Sequence, residues 1–350
     1  MNEHKPINTA ILSYGMSGEV FHAPLLEAHP GFTISKIVER SKDRARQHYP
    51  HVNSVREIND VLNDRDIELV VVNTPHDTHA DLTARVLHAG KHVVVEKPFT
   101  NTVAEGQELI TLAREKGLLL SVFQNRRWDG DFMTVRNVIE SKVLGRMVEF
   151  EAHYDRYRPH VDQTTWKEKT GAGSGILYNL GAHMIDQALV LFGLPREINA
   201  EVGIQRSGGL CDDYYDIKLR YHDLNVILKS SYLVRENGPR YILHGENGSF
   251  VKYGLDPQEQ SLKEKETPGR SGWGVESMQD WGRLNTSFNG IHVEGKVETC
   301  PGNYLTFYDT IFKALRKNMP LEVTAEQALD VIKIIELSML SSQKKTTLSI

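Results

Sequence analysis

At 350 residues the chain is longer than one hydrophobic core usually serves, which suggests two domains. A charged fraction of 25%, a hydrophobic fraction of 40% and a net charge of -5 are those of an ordinary globular protein, and they argue against nucleic acid as a partner because no cation excess is available for a polyanion. No apolar run approaches the roughly 20 residues of a membrane helix, and no apolar signal core follows Met1, so a cytoplasmic protein without a membrane partner is expected.

Strand and helix patterns alternate from the start. Ile7 to Ser13 is apolar, Phe21 to Ala28 helical, Thr33 to Val38 apolar, Val55 to Asn63 helical and Ile67 to Val72 strongly β-branched. Helix Thr78 to His88, strand His92 to Val95, helix Val103 to Lys116 and strand Leu118 to Phe123 follow. Such alternation makes a parallel, doubly wound sheet, and runs such as Leu69-Val70-Val71-Val72 suit strands covered on both faces.

Beyond a helix near Asp131 to Glu140 the period changes. Arg146 to Tyr157, Ile198 to Arg206, Tyr214 to Tyr221, Asn225 to Tyr232 and Tyr241 to Tyr253 alternate apolar and polar residues, as antiparallel strands with one packed face do. Gly175 to Phe192 reads as a helix stopped by Gly193 and Pro195, and the polar stretch Asp256 to Asn289 as a long loop. Tyr304 to Arg316 and Ala325 to Ser341 are closing helices, the second opened by Thr324 with Gln327 in capping-box spacing. The expected fold is an α/β Rossmann dinucleotide-binding domain over residues 1–125, then an α+β domain over 126–350 with a large, mostly antiparallel open sheet, whose C-terminal helix can pack back on the first domain.

The first strand runs into Ser13-Tyr14-Gly15-Met16-Ser17-Gly18, a G-x-G-x-x-G fingerprint with serine at its first position. Gly15 and Gly18 retain the tasks of close backbone approach to a pyrophosphate and close helix packing, and Met16 and Ser17 contribute the N-H groups of the turn. Glu39 ends the next strand, where a carboxylate reads the ribose hydroxyls of NAD, while adjacent Arg40 can pair with the 2'-phosphate of NADP. Both cofactors stay open, with the carboxylate at 39 favouring NAD because it repels a 2'-phosphate. Thr74-Pro75 and His79 follow the next strand, with Asp77 or Thr78 as a helix cap; a metal site at His76 and His79 is disfavoured for want of a matching carboxylate or cysteine. Cys211 and Cys300 lie outside any Cys-x-x-Cys spacing. Glu96-Lys97-Pro98 then places a lysine at the carboxyl edge of a buried strand, where open α/β sheets bind ligands.

The glycine loop at 13–18, Thr74-Pro75 with His79, Ala89-Gly90-Lys91-His92-Val93 running into Glu96-Lys97-Pro98, and Leu180-Gly181-Ala182-His183-Met184-Ile185-Asp186 together resemble the Gfo/Idh/MocA oxidoreductases over essentially the whole chain. Phe21-His22-Ala23-Pro24, Asn125-Arg126-Arg127-Trp128-Asp129 and Tyr157-Arg158-Pro159 look most like the scyllo-inositol dehydrogenase group of that family, which is associated with NADP. The resemblance implies hydride transfer between NAD or NADP and a ring hydroxyl of an inositol or sugar, with Lys97 bonding the reacting hydroxyl or the nicotinamide ribose and His183 as acid/base. Glu96 joins Lys97 in the cofactor-binding set.

The family pattern has an aspartate four residues before that histidine, and this chain has Asn179. An amide hydrogen-bonds an imidazole but cannot stabilise imidazolium by charge, so activity is either retained in weaker form or lost. Asp186, one helical turn on, either holds His183 or packs. Arg126, Tyr157, Arg158 and Trp166 are candidates to line a polyol pocket. Two other readings remain: transient oxidation that enables elimination or glycosidic cleavage, and a non-catalytic dinucleotide or sugar sensor. The resemblance also implies that the open sheet face joins subunits into a homodimer or homotetramer.

Overall fold

The computed structural model describes residues 5–162, 168–169, 171 and 173–350, so Trp166 lies outside the described residues. The chain divides into two compact units, each returning to the chain more than once: Met1–Trp128 with Gln258–Trp273 and Asn303–Leu329, and Asp129–Pro257 with Gly274–Gly302 and Asp330–Ile350.

The first unit runs β1 (Ile7–Ile11), a π-helical turn (Gly18–His22), α1 (Ala23–Ala28), β2 (Phe32–Val38), α2 (Ala45–His48), β3 (Asn53–Val55), α3 (Asn59–Leu62), β4 (Leu69–Val72), α4 (His79–His88), β5 (His92–Val95), α5 (Val103–Glu115) and β6 (Leu120–Val122). The strands form one parallel sheet in the order β3-β2-β1-β4-β5-β6. All four residues of β4 are buried, as a strand covered on both faces requires. Strand order reverses between β1 and β4, and that reversal opens a crevice at the carboxyl ends of the strands.

Residues 55–63, expected as one helix, are instead an edge strand followed by a single helical turn. Pairing of Val55 with Val38 captures the segment's start for the sheet, a tertiary contact that outweighs local helical periodicity. The expected cap on α4 is also absent: Thr78 Oγ1 donates to the Pro75 carbonyl at 2.6 Å, and no side chain caps the helix.

The second unit contains α6 (Gly130–Glu140), β7 (Met147–His153), a second π-helical turn (Leu177–Gly181), α7 (Ala182–Phe192), β8 (Glu197–Gly203), β9 (Tyr214–Arg220), β10 (Asn225–Ser231), β11 (Tyr241–Gly245) and β12 (Gly248–Lys252). After α8 (Gln258–Lys263) come β13 (Gly282–Phe288), β14 (Ile291–Val297), α9 (Leu305–Lys317), α10 (Ala325–Lys344) and β15 (Leu348–Ser349), of which α8 and α9 belong to the first unit. The second sheet has nine strands, β14-β13-β12-β11-β7-β10-β9-β8-β15, antiparallel except between β7 and β10. Tyr215 Oη donates to Met184 Sδ at 2.9 Å and Tyr241 Oη to Gln187 Oε1 at 2.9 Å, which seats α7 on this sheet.

Two expectations are corrected here. Tyr241 to Tyr253 is a hairpin rather than one strand, and the supposed loop 256–289 holds α8 and β13. The hairpin β13–β14 turns at Asn289-Gly290, both with positive φ (51° and 79°), the conformation that asparagine and glycine accept at little cost. The expected capping box of α10 is present, with Gln327 N donating to Thr324 Oγ1 and Thr324 N to Gln327 Oε1, each at 3.2 Å. Among the described residues no helix is long and apolar enough to cross a membrane.

Candidate active site

Serine substitutes for the first glycine of the fingerprint by bonding the turn itself: Gly15 N donates to Ser13 Oγ at 3.2 Å. Gly15 and Met16 face solvent, whereas Gly18 is buried. A Cβ on Gly18 would lie 2.0 Å from the Ser13 carbonyl oxygen and 2.9 Å from Asn73 Nδ2, so only glycine lets the helix start this close to β1. Asn73 Nδ2 donates to that same Ser13 carbonyl at 2.8 Å and ties the end of β4 to the end of β1, at the strand-order reversal. Ala23 N donates to Gly18 O, the i→i+5 bond of a π turn, before α1 continues. A dinucleotide fits these residues: the exposed backbone at 15–16 is open to an anion, and the position where a side chain would block the turn carries none.

Glu39 is buried, and its carboxylate turns into its own loop. Its oxygens accept Arg44 N at 3.1 Å, Ala45 N at 2.9 Å and Ser54 Oγ at 3.4 Å. Its carbonyl accepts Arg56 Nη1 at 2.7 Å. Arg40, Ser41 and Lys42 are exposed on the loop so formed.

At the carboxyl end of β5 the Glu96 carboxylate is buried; Oε2 accepts Lys97 N at 3.0 Å and Oε1 faces His22 Nε2 at 3.1 Å. His22 Nδ1 meets Tyr308 Oη at 2.7 Å. Burial pushes the Glu96 carboxyl up, but the His22 hydrogen bond and the charges of His22, Lys97 and His79 outweigh it, and the group ends below its ordinary value. The Lys97-Pro98 peptide is cis. His79 is buried between two loops, Nδ1 2.8 Å from the Pro98 carbonyl and Nε2 3.1 Å from the Thr74 carbonyl, so it joins the loops after β4 and β5. Burial lowers its pKa. Thr74 Oγ1 meets Thr78 Oγ1 at 2.6 Å, and Pro75 precedes a 3-10 turn at His76–Thr78.

In the second unit Asn179 lies in the π turn and His183 in α7. Four residues are about one turn in either winding, so the two share a helix face. Asn179 is half-buried, and His183 and Asp186 are buried. Leu177 N donates to Asp212 Oδ2 at 2.8 Å, closing the start of this helix. Burial, opposed by the backbone N-H groups around Leu177, pushes the Asp212 carboxyl up to about 6. Tyr157 and Arg158 are exposed: Arg235 Nη2 donates to Tyr157 Oη at 2.7 Å, and the Arg158 guanidinium lies 5.7 Å from the Tyr232 ring centre.

Arg126, expected in a polyol pocket, is buried in the first unit in an ion pair with Glu259 of α8, with Tyr304 Oη 3.5 Å from Nη1. Burial pushes Glu259 up, but Arg126 and Lys263 carry it down to about 2. The structure thus gathers the glycine loop, Thr74-Pro75, Glu96 and Lys97 at the ends of the adjacent strands β1, β4 and β5, and sets Asn179, His183 and Asp186 on one helix of the other unit. Sequence reasoning missed Asp212 and Tyr308. The sequence signal for His22 is Phe21-His22-Ala23-Pro24, a histidine just after the glycine loop.

Comparison with known proteins matches the profile of the oxidoreductase family's NAD-binding Rossmann fold to residues 7–124 and that of its C-terminal alpha/beta domain to residues 136–350. The chain is 43% identical over 345 residues to scyllo-inositol 2-dehydrogenase (NADP(+)) of Bacillus subtilis, covering 98% of this chain and 95% of that one. It is 42% identical to an uncharacterized oxidoreductase of Escherichia coli, covering 98% of each. The solved structure of an oxidoreductase from Bacillus subtilis superposes with a TM-score of 0.97 at 41% identity, over 100% of both chains.

Proposed function

The chain belongs to the Gfo/Idh/MocA family of NAD(P)-binding oxidoreductases, and from that premise we propose that it is an NADP-dependent dehydrogenase acting on a ring hydroxyl of an inositol or sugar. The observation that carries this reading is the convergence of the glycine loop, Asn73-Thr74-Pro75 and Lys97 at the carboxyl ends of three neighbouring strands. The 43% identity to an inositol dehydrogenase supports the substrate class.

Oxidising a secondary alcohol removes a hydride from carbon and a proton from oxygen; when bound, the nicotinamide supplies the hydride acceptor. This chain's residues must hold the hydroxyl and move the proton. Lys97, whose backbone is anchored through Glu96, is assigned the hydrogen bond to the hydroxyl, and His183 the acceptance of its proton. Asn179 orients that imidazole as an amide. Preference for NADP follows from Glu39: its carboxylate serves the Arg44 and Ala45 amides, which leaves the exposed Arg40, Ser41 and Lys42 to meet a 2'-phosphate.

The same reading includes a cytoplasmic location and a homodimer or homotetramer. Exposed Phe288, Ile291 and Val293 on β13 and β14 support association through that sheet. Sedimentation at a single-chain mass near 39.7 kDa would contradict it.

The deciding experiment follows absorbance of reduced nicotinamide while the protein is offered NAD or NADP with inositol isomers and aldoses. Turnover with NADP that vanishes in Lys97→Ala, with coenzyme affinity kept, is the expected result. Saturable coenzyme binding without turnover on the whole panel would replace the dehydrogenase with a sensor, the reading that Asn179 favours.

A further inference from the structure

A chain of buried polar groups leads back from Lys97. Tyr308 Oη, on α9, is 2.7 Å from His22 Nδ1, on the π turn after the glycine loop. His22 Nε2 is 3.1 Å from Glu96 Oε1, and Glu96 Oε2 accepts the Lys97 N-H at 3.0 Å. His22 and Tyr308 have no exposed surface, and Phe123 packs against the His22 ring at 4.4 Å between centres. The partners fix the direction of the chain. Burial, and then the Glu96 charge, push the Tyr308 phenol well above its ordinary value, so it stays protonated and donates to Nδ1. The ring's proton then sits on Nε2, where it donates to the carboxylate. No step of the proposed reaction needs His22 or Tyr308, yet polar groups this deeply buried are costly unless fully bonded.

We propose that His22 and Tyr308 are positioning residues for Lys97: they hold the Glu96 carboxylate ionised and in one orientation, so that it anchors the lysine backbone and supplies a fixed counter-charge to the ammonium. The charged and titratable groups facing Glu96 are His22 from the π turn, His79 from α4, Lys97 from its own strand end and Tyr308 from α9. Of these, His22 bonds the carboxylate directly. Removing that bond weakens the anion in a buried site, and the ammonium loses part of its counter-charge. A less stabilised ammonium gives up its proton more readily, and an unanchored lysine holds the hydroxyl less well.

This inference rests on the role proposed for Lys97, and the test separates the two. Full-length wild type, His22→Ala, Tyr308→Phe and Lys97→Arg are labelled at lysine ε-nitrogen. The Lys97 resonance, identified by its loss in Lys97→Arg, is titrated in the presence of NADP while the pH profile of kcat is recorded on the best polyol. The expected result is a Lys97 midpoint lowered by about one unit in His22→Ala and by less in Tyr308→Phe. The alkaline limb of kcat should move with it, and kcat should fall roughly tenfold or more in His22→Ala with KM for NADP kept. Tyr308→Phe preserves shape, so it reports even where His22→Ala fails to fold. A Lys97 midpoint and pH profile unmoved in Tyr308→Phe and in any folded His22 variant overturn the inference. Wild type without turnover but with the expected shift in the Lys97 resonance would sink the dehydrogenase reading and leave the coupling standing.

Discussion

The Asp212 carboxylate accepts the backbone N-H of Leu177 at 2.8 Å and so closes the first turn of the helical segment that carries Asn179 and His183. The approach depends on Gly175: a Cβ there would lie 1.9 Å from Asp212 Oδ1, and its φ of +90° is one that other residues rarely adopt. A carboxylate in this place costs stability once ionised, because burial pushes it up to about 6 from an ordinary 3.8. A raised carboxyl favours the folded state fully below about pH 4 and loses that advantage as pH climbs through 6.

Asp212→Asn keeps an oxygen for the Leu177 amide and removes the charge. Its stability relative to wild type should therefore improve between pH 4.5 and 7.5, by at most about 3 kcal/mol. Urea denaturation at the two pH values measures this. A difference that does not change with pH would mean that Asp212 titrates as an ordinary surface carboxylate.

The two glycines of the fingerprint should separate folding from binding. Gly18→Ala drives a Cβ to 2.0 Å from the Ser13 carbonyl and should cost about 2 kcal/mol as well as coenzyme affinity. Gly15→Ala meets only Ser13 Oγ, at 3.3 Å, from an exposed position, and should melt near wild type while binding NADP more weakly. Thermal melts and fluorescence titration of both variants decide the matter; equal melting losses would show that the loop serves folding alone.

Neighbouring Glu39 and Arg40 should behave as opposites. Glu39→Ala leaves the Arg44 and Ala45 amides without their acceptor and should cost about 2 kcal/mol of stability. Arg40→Ala should leave stability alone and raise the KM for NADP roughly tenfold, with NAD unaffected. An NAD preference in the wild type, or an unchanged KM for NADP in Arg40→Ala, would return the ribose-reading task to Glu39.

Much of this was legible in the chain. The β-branched runs of β4 and β5 announced a parallel sheet because strands buried on both faces need no polar alternation. The glycine loop and Glu96-Lys97-Pro98 located the crevice, because turn and proline chemistry are local. The π turns at Gly18–His22 and Leu177–Gly181 were hidden, since one extra residue per hydrogen-bonded ring leaves no trace in apolar periodicity. The orientation of Glu39 was hidden as well, because a carboxylate that reads ribose and one that caps its own loop look alike in sequence. Asn289-Gly290 was a readable hairpin signal, masked by the polar, exposed strands on either side. Joining α8 and α9 to the first unit depends on contacts across more than a hundred residues, such as Arg126 with Glu259, and no local pattern reports those.

That pair gives the sharpest test of a polyol-binding role for Arg126. Glu259 is held down to about 2 against an ordinary 4.5, so the pair stabilises the fold above about pH 4.5 and loses that contribution as pH falls toward 2. Glu259→Gln at neutral pH leaves a buried guanidinium without its carboxylate and should cost about 3 kcal/mol. Replacing both partners, Arg126→Met with Glu259→Leu, should recover most of that loss, because an apolar pair needs no charge compensation. If Arg126 serves the fold alone, the double variant keeps its KM for the polyol; a KM raised tenfold or more with stability restored would show that the guanidinium also reaches substrate. Denaturation at pH 7 and pH 3, together with one saturation curve per variant, reads both outcomes from the same preparations.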